Sequence, residues 1–122
     1  MVTMQQIIPL LMSASVLKLD PYMNFFGVRS MNWIFNKIPN AEYYQIQIFG
    51  YNPNSGNWQL SQNYVRSPSQ INDFPGTNGK KVGGSWSAGT VFTRAYFRVK
   101  VRIDDTWGDF EYSPTYTISA NE

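Results

Sequence analysis

The 122-residue chain contains no cysteine and no histidine. Without thiols it can build neither a disulfide framework nor a thiolate nucleophile, and Fe–S clusters and cysteine zinc sites go with them. Without imidazole it lacks the commonest general base and the commonest metal ligand. Charge is scarce as well. Ten Lys and Arg against eight Asp and Glu leave a net charge of +2, too small to mark a general nucleic-acid binder. No apolar run approaches the roughly 18 residues that cross a bilayer as a helix, so no membrane insertion is expected. The remaining catalytic material is eight carboxylates, five lysines and the hydroxyls. That set can hydrolyse a glycoside only from a preorganised cleft with two carboxylates about 5–10 Å apart, and so small a chain rarely encloses one. The chain therefore reads as non-catalytic, with no cofactor and no metal.

What the chain has in quantity is aromatic and uncharged polar side chains. There are 4 Trp, 8 Tyr and 8 Phe, and hydrophobic residues make up 43%. The length suits one domain with one core. The first twenty residues hold an apolar stretch, Ile7 to Val16. It has the outline of a secretory signal, but no cation precedes Lys18 and Pro9 interrupts it. The segment 1–24 reads instead as an apolar arm or first strand, packed on its own domain or docked on another subunit. Met1, Met4 and Met12 among its aliphatic residues suit an irregular surface. The domain proper is taken as 25–122.

Beyond residue 20 the hydrophobic period is two, in runs bounded by Asn, Gly and Pro. That is the pattern of short antiparallel strands. Between Arg29 and Asn36, Met31, Trp33 and Phe35 share a face and Ile34 is a misfit. Between Tyr43 and Phe49, Tyr44, Ile46 and Ile48 point one way and Tyr43, Gln45, Gln47 and Phe49 the other. Trp58 to Val65 and Gln70 to Phe74 read as further strands, and Pro75 to Gly89 as a long glycine-rich loop. Thr90 to Ile103 alternates cleanly, with Val91, Thr93, Ala95, Phe97, Val99, Val101 and Ile103 against Phe92, Arg94, Tyr96, Arg98, Lys100 and Arg102. An acidic turn, DDTWGD, leads to a last strand from Tyr112 to Ser119. Seven short strands with turns about every ten residues predict an all-β, two-sheet antiparallel β-sandwich. Its expected core is Met31, Trp33, Phe35, Tyr44, Ile46, Ile48, Phe97, Val99 and Val101.

The run W-I-F-N-K-I-P-N-A-E-Y-Y-Q-I-Q-I, the later Y-F-R-V-K-V-R and the closing W-G-D-F-E-Y-S resemble a fibronectin type III domain over about residues 25–120. The resemblance implies that Trp33 is the core Trp of the second strand and that Ala41 and Tyr44 open the third. It also implies that Gly108, Tyr112 and Ser113 enter the last. One position departs: the family commonly has a Tyr two residues before the Phe of the F-x-V stretch, where this chain has Ala95. Either that tyrosine corner is missing or a bulge rephases the strand, and a related immunoglobulin-like topology stays open.

The strongest candidate for a binding surface is a basic stripe. Arg94, Arg98, Lys100 and Arg102, with Tyr96 among them, align along one strand face over about 27 Å at about 3.4 Å per residue. Tyr43 and Trp107 are placed beside it, and Thr115 and Thr117 are expected to flank it. Such a face suits an acidic protein or an anionic glycan, and less readily single-stranded nucleic acid. Outward charges that keep the protein soluble and block edge pairing are the plainer explanation. Asp104, Asp105, Asp109 and Glu111 cluster in the acidic turn, yet their spacing fits no calcium loop. An acidic turn and a basic face in one domain also permit head-to-tail assembly. TNGKKVGGSWS lacks the Gly-Lys-Ser/Thr ending and following helix of a phosphate loop. Trp58, Trp86 and Trp107 would make a sugar-stacking platform if they shared a face.

These observations favour a structural or interaction protein, a homo- or hetero-oligomeric subunit of an assembly such as a phage virion, a fibre or a surface layer, located in a virion, outside the cell or at a cell surface. The alternative is a carbohydrate-binding or adhesion module of an extracellular protein.

Overall fold

The computed structural model describes residues 18–118, and the expected arm lies for the most part outside them, in 1–17. The described part is all-β, built from two antiparallel sheets. In chain order the strands are β1 (Tyr22–Gly27), β2 (Ser30–Asn36), β3 (Tyr43–Asn52), β4 (Asn57–Arg66), β5 (Asn72–Asp73), β6 (Lys81–Ser87), β7 (Arg94–Ile103), β8 (Thr106–Trp107), β9 (Glu111–Tyr112) and β10 (Tyr116–Thr117). Sheet A runs β1-β2-β6-β5 and sheet B runs β10-β7-β3-β4, with β8 and β9 also paired to β7. The boundary drawn at residues 24 and 25 falls inside β1, and Leu19 and Met23 already belong to the core.

Alternation decides what each sheet buries. Met31, Trp33 and Phe35 of β2, Tyr44, Ile46 and Ile48 of β3, and Phe97, Val99 and Val101 of β7 all lie in one hydrophobic cluster fed by both sheets. Rings meet across it: Phe35 is edge-on to Tyr44 at 4.9 Å and Trp33 is tilted against Phe97 at 6.2 Å. The Tyr44 hydroxyl, buried at the join of β2 and β3, accepts the Ile38 N–H at 2.9 Å. Burial pushes its pKa up, while that hydrogen bond and nearby Lys37 pull the other way.

Four features depart from the sequence pattern, three through packing and one through backbone hydrogen bonding. Much of the expected loop 75–89 is β6, an inner strand of sheet A that pairs with β2 from Ser30↔Ser87 to Asn36↔Lys81. Its glycines make room rather than turns. A Cβ at Gly84 would overlap the Trp33 ring, and one at Gly83 would overlap the Trp33 carbonyl. Second, Ile34 is fully buried although it points away from the shared core. It and Phe74 both come within 3.3 Å of the Cβ position at Gly83, so the chain after β5 covers it.

Third, the alternation expected from Thr90 holds only from Arg94 onward. Phe92 turns inward, stacks on Trp86 at 6.1 Å and fills the space over Gly50, where a Cβ would overlap it; Val91 is exposed. Fourth, the expected last strand is split into β9 and β10 around Ser113 and Pro114. Pro114 has no N–H to give to a ladder. Ser113 seals the break: its N–H donates to the Phe97 carbonyl and its Oγ accepts the Phe97 N–H at 2.9 Å. Pairing of β7 with β3 is continuous from Arg94 to Arg102, so no bulge rephases the strand and Ala95 stays inward.

Candidate functional site

The outward side chains of sheet B form one continuous surface. From β7 come Arg94, Tyr96, Arg98, Lys100 and Arg102, and from β3 come Tyr43, Gln45, Gln47, Phe49 and Tyr51, joined row by row from Tyr43↔Arg102 to Tyr51↔Arg94. β4 adds Trp58 opposite Tyr51 and Leu60 opposite Phe49. Here a bulge decides which residues face out. Gln62 pairs with Ile48 but Leu60 pairs with Phe49, leaving Ser61 as the extra residue. Trp58 and Leu60 therefore face out although Gln62 and Tyr64, at the same parity, face in. Ser61 reaches the core side, where its Oγ accepts the Trp86 Nε1–H at 2.9 Å.

On the other flank of β7, the two-residue loop Asp104–Asp105 has φ of 51° and 61° and joins Ile103 to Thr106. Positive φ at both loop positions is the turn that matches the twist of a hairpin. It returns Trp107 beside Arg102, and Tyr112 follows beside Arg98. These two residues occupy much of the flank expected for Thr115 and Thr117. Only Thr117 pairs with the stripe, at Arg94, and Thr115 lies in no strand.

The result is a mosaic of rings and cations. Phe49 stacks on Tyr96 at 5.0 Å, Trp58 stands edge-on to Tyr96 at 5.0 Å and to Tyr51 at 5.4 Å, and Tyr112 is tilted against Tyr96 at 6.0 Å. The Arg94 guanidinium lies 4.1 Å from the Tyr51 ring centre, and Arg98 lies 4.1 Å from Phe110 and 5.2 Å from Phe49. Lys100 Nζ is 4.7 Å from Phe110 and 5.1 Å from Trp107, and Arg102 is 5.9 Å from Tyr43. Seating the cations on rings relieves the repulsion along the stripe without neutralising it.

Counter-ions are unevenly distributed. Arg102 holds two carboxylates, Glu42 at 3.4 Å and Asp105 at 2.8 Å. Arg98 is fixed by neutral acceptors, Gln47 Oε1 and the Tyr112 hydroxyl, both at 2.8 Å. Among the described residues, Arg94 and Lys100 contact rings and no carboxylate. Burial among the rings raises the Tyr96 pKa; Arg98 opposes that rise and Tyr112 adds to it.

Two of the four carboxylates of the acidic turn are committed within the molecule. Asp105 binds Arg102, and Glu111 Oε1 accepts the N–H groups of Leu19 at 3.0 Å and Asp20 at 3.3 Å. Among the described residues no three carboxylates stand together as a metal site would require, and no helix is long and apolar enough to cross a membrane. The three tryptophans do not share a face: Trp58 and Trp107 flank the basic stripe, whereas Trp86 is buried in the core. Sequence reading missed Tyr51 and Phe110 as ring partners of the stripe. Tyr51 continues the outward parity of Tyr43 to Phe49, a signal that was there to follow; Phe110 lies in no strand and has no such signal. Comparison with known proteins adds nothing to this geometry, since no protein-family model and no curated protein matches the chain.

Proposed function

We propose that this chain is a non-catalytic interaction protein that docks an acidic protein surface on the outer face of sheet B, as a subunit of an assembly such as a virion, a fibre or a surface layer. The observation that carries the reading is the pair Arg94 and Lys100: cations seated on rings, with no carboxylate of their own, on a face where Tyr43, Trp58, Trp107 and Tyr112 are exposed. Aromatic and arginine side chains in one patch are the composition of energetically dominant interface residues. A partner carboxylate would find a charge already desolvated on one side by a ring, which strengthens pairing.

A fibronectin type III-like or immunoglobulin-like sandwich is the family reading that the strand order supports. Lettering the strands A, B, C, C′, D, E, F and G as β1 to β7 and β10 gives one sheet with A, B, E and D and another with G, F, C and C′, the partition of immunoglobulin-like sandwiches. Domains of this architecture serve many roles, so the proposed role rests on the face and not on the fold.

The test is titration of the full chain with poly-L-glutamate, followed by tryptophan fluorescence, together with sedimentation at low and high salt. Saturable quenching that weakens with salt and is lost in the double variant Arg94→Glu, Lys100→Glu is the expected result. An unchanged signal, and a monomer at every salt concentration, would overturn the reading. A second reading, an anionic glycan, draws on the exposed rings of Trp58 and Trp107; quenching by heparin but not by poly-L-glutamate would select it.

A further inference from the structure

We propose that copies of this chain associate head to tail, the β1–β2 hairpin tip of one copy seating in an apolar hollow at the opposite end of the next. The inference rests on reading the chain as a subunit of an assembly, and it names a contact that the outer face of sheet B does not supply. The tip is Phe25, Phe26 and Val28, which are 44%, 59% and 40% exposed. Pairing along β1, an edge strand, steps from Phe25↔Met31 to Gly27↔Ser30, so Phe26 is the extra residue of a bulge. A bulge at a sheet edge re-aims the side chain it carries. The Arg29 guanidinium donates to the Gly89 and Phe92 carbonyls, and the Arg29 carbonyl accepts the Ala88 N–H at 2.8 Å. These bonds tie the tip to the loop that carries Val91, also exposed. An apolar tip braced in this way loses little freedom when a partner covers it.

The hollow lies at the other end of the sandwich. β7 runs from Arg94, next to the Val91 loop in the chain, to Ile103, and its 10 residues put about 30 Å between the two ends. The hollow has a volume of about 500 Å³, within the range of pockets that take a drug-sized apolar body. Leu19 and Val101, both buried, close its floor, and half-buried Ile103 and exposed Trp107 are the apolar surfaces within reach. Asp109 and Glu111 complete the lining that matters here. Charge selects a second copy as the occupant. No acidic residue occurs between Asp20 and Glu42, between Glu42 and Asp73 or between Asp73 and Asp104, so none of the described loops at the tip end carries a carboxylate; its cations are Arg29 and Arg94. The hollow is the reverse, and Asp109 has no hydrogen bond or ion pair to another described residue. Carboxylates also meet a phenyl ring favourably at its positive edge. Because tip and hollow are different surfaces, the contact is heterologous and repeats from copy to copy instead of closing a two-fold dimer. The tip offers only a few hundred Å², so one contact alone is weak.

The test is photocross-linking of the full chain with p-benzoylphenylalanine in place of Phe26, mapped by mass spectrometry, beside sedimentation velocity of the wild type from micromolar to millimolar concentration. The expected link joins position 26 to the 103–111 segment, and the sedimentation coefficient climbs with concentration. The two ends of one copy are too far apart to be linked directly, so the link is between copies. The tip variant Phe26→Ser, Val28→Ser and the hollow-blocking variant Thr106→Arg each stay monomeric over the same range. Mixed, they form dimers and nothing larger, because one tip and one hollow remain between them. A link from position 26 to position 26 of another copy, no link at all, or undiminished association of either variant overturns the proposal. Binding of the wild type, and not of the tip variant, to phosphatidylglycerol vesicles without self-association assigns the tip to a lipid surface and overturns it equally. Should Thr106→Arg fail to fold, the cross-link map decides alone. The tip variant keeps its quenching by poly-L-glutamate, so failure here is distinguishable from failure of the sheet B face.

Discussion

Tyr44 and Phe97 on one face of the β3–β7 ladder, and Phe49 and Tyr96 on the other, are close neighbours in sequence and chemically alike. Inside, the rings pack against aliphatic side chains and against the rings of sheet A, and the sole hydroxyl of the group is paired to a backbone N–H. Outside, they pack against one another and against guanidinium and ammonium groups. Inner rings are held by what they exclude, outer rings by what they attract, and only the outer set keeps valence for a partner.

That contrast can be broken experimentally. The largest effect belongs to Phe97→Ala, which opens a core cavity and lowers unfolding free energy by about 3–5 kcal/mol in denaturant titration. Gly50→Ala forces Phe92 off its seat and costs about 1–3 kcal/mol in the same assay. Tyr44→Phe strands the buried Ile38 N–H, again at about 1–3 kcal/mol. It also removes one source of pH dependence. The folded Tyr44 pKa is raised above its unfolded value of about 10, so its contribution is intact below that pH and is lost as pH climbs through the folded value. Thermal melts of the wild type should fall in the alkaline range, and Tyr44→Phe should flatten that fall. On the outer face, Tyr96→Ala removes ring contacts only, at about 1 kcal/mol. A cost as large as that of Phe97→Ala would erase the distinction between the two faces. Lys100→Ala should cost about 0.5 kcal/mol or less, while abolishing much of the salt-dependent binding to poly-L-glutamate.

The sequence displayed this ladder openly because β3 and β7 are regular, with parity unbroken across nine paired rows. It concealed β6, whose glycines have the composition of a loop and the geometry of an inner strand. What decides there is a ring from β2, distant in sequence, lying over Gly84. It concealed the inward turn of Phe92 for the same kind of reason, the bare backbone at Gly50. The stripe Arg94 to Arg102 could be read from alternation alone, but its ring partners on β4 could not, because the bulge at Ser61 reverses which positions face out. Trp33 was legible as core. Its Nε1–H, buried without a hydrogen-bond partner, was not, since a donor's isolation depends on everything that fails to approach it.

The pairing of β2 with β6 has a further consequence, for the order of events on a growing chain. β1 and β2 are joined locally and precede the other strands described, yet Met31, Trp33 and Phe35 find their neighbours Trp86, Gly84 and Val82 only after β3, β4 and β5 have been made. Until then the early hairpin shows an oily flank to the ribosome surface and the surrounding solvent, and it is the segment of this domain on which a chaperone would act first.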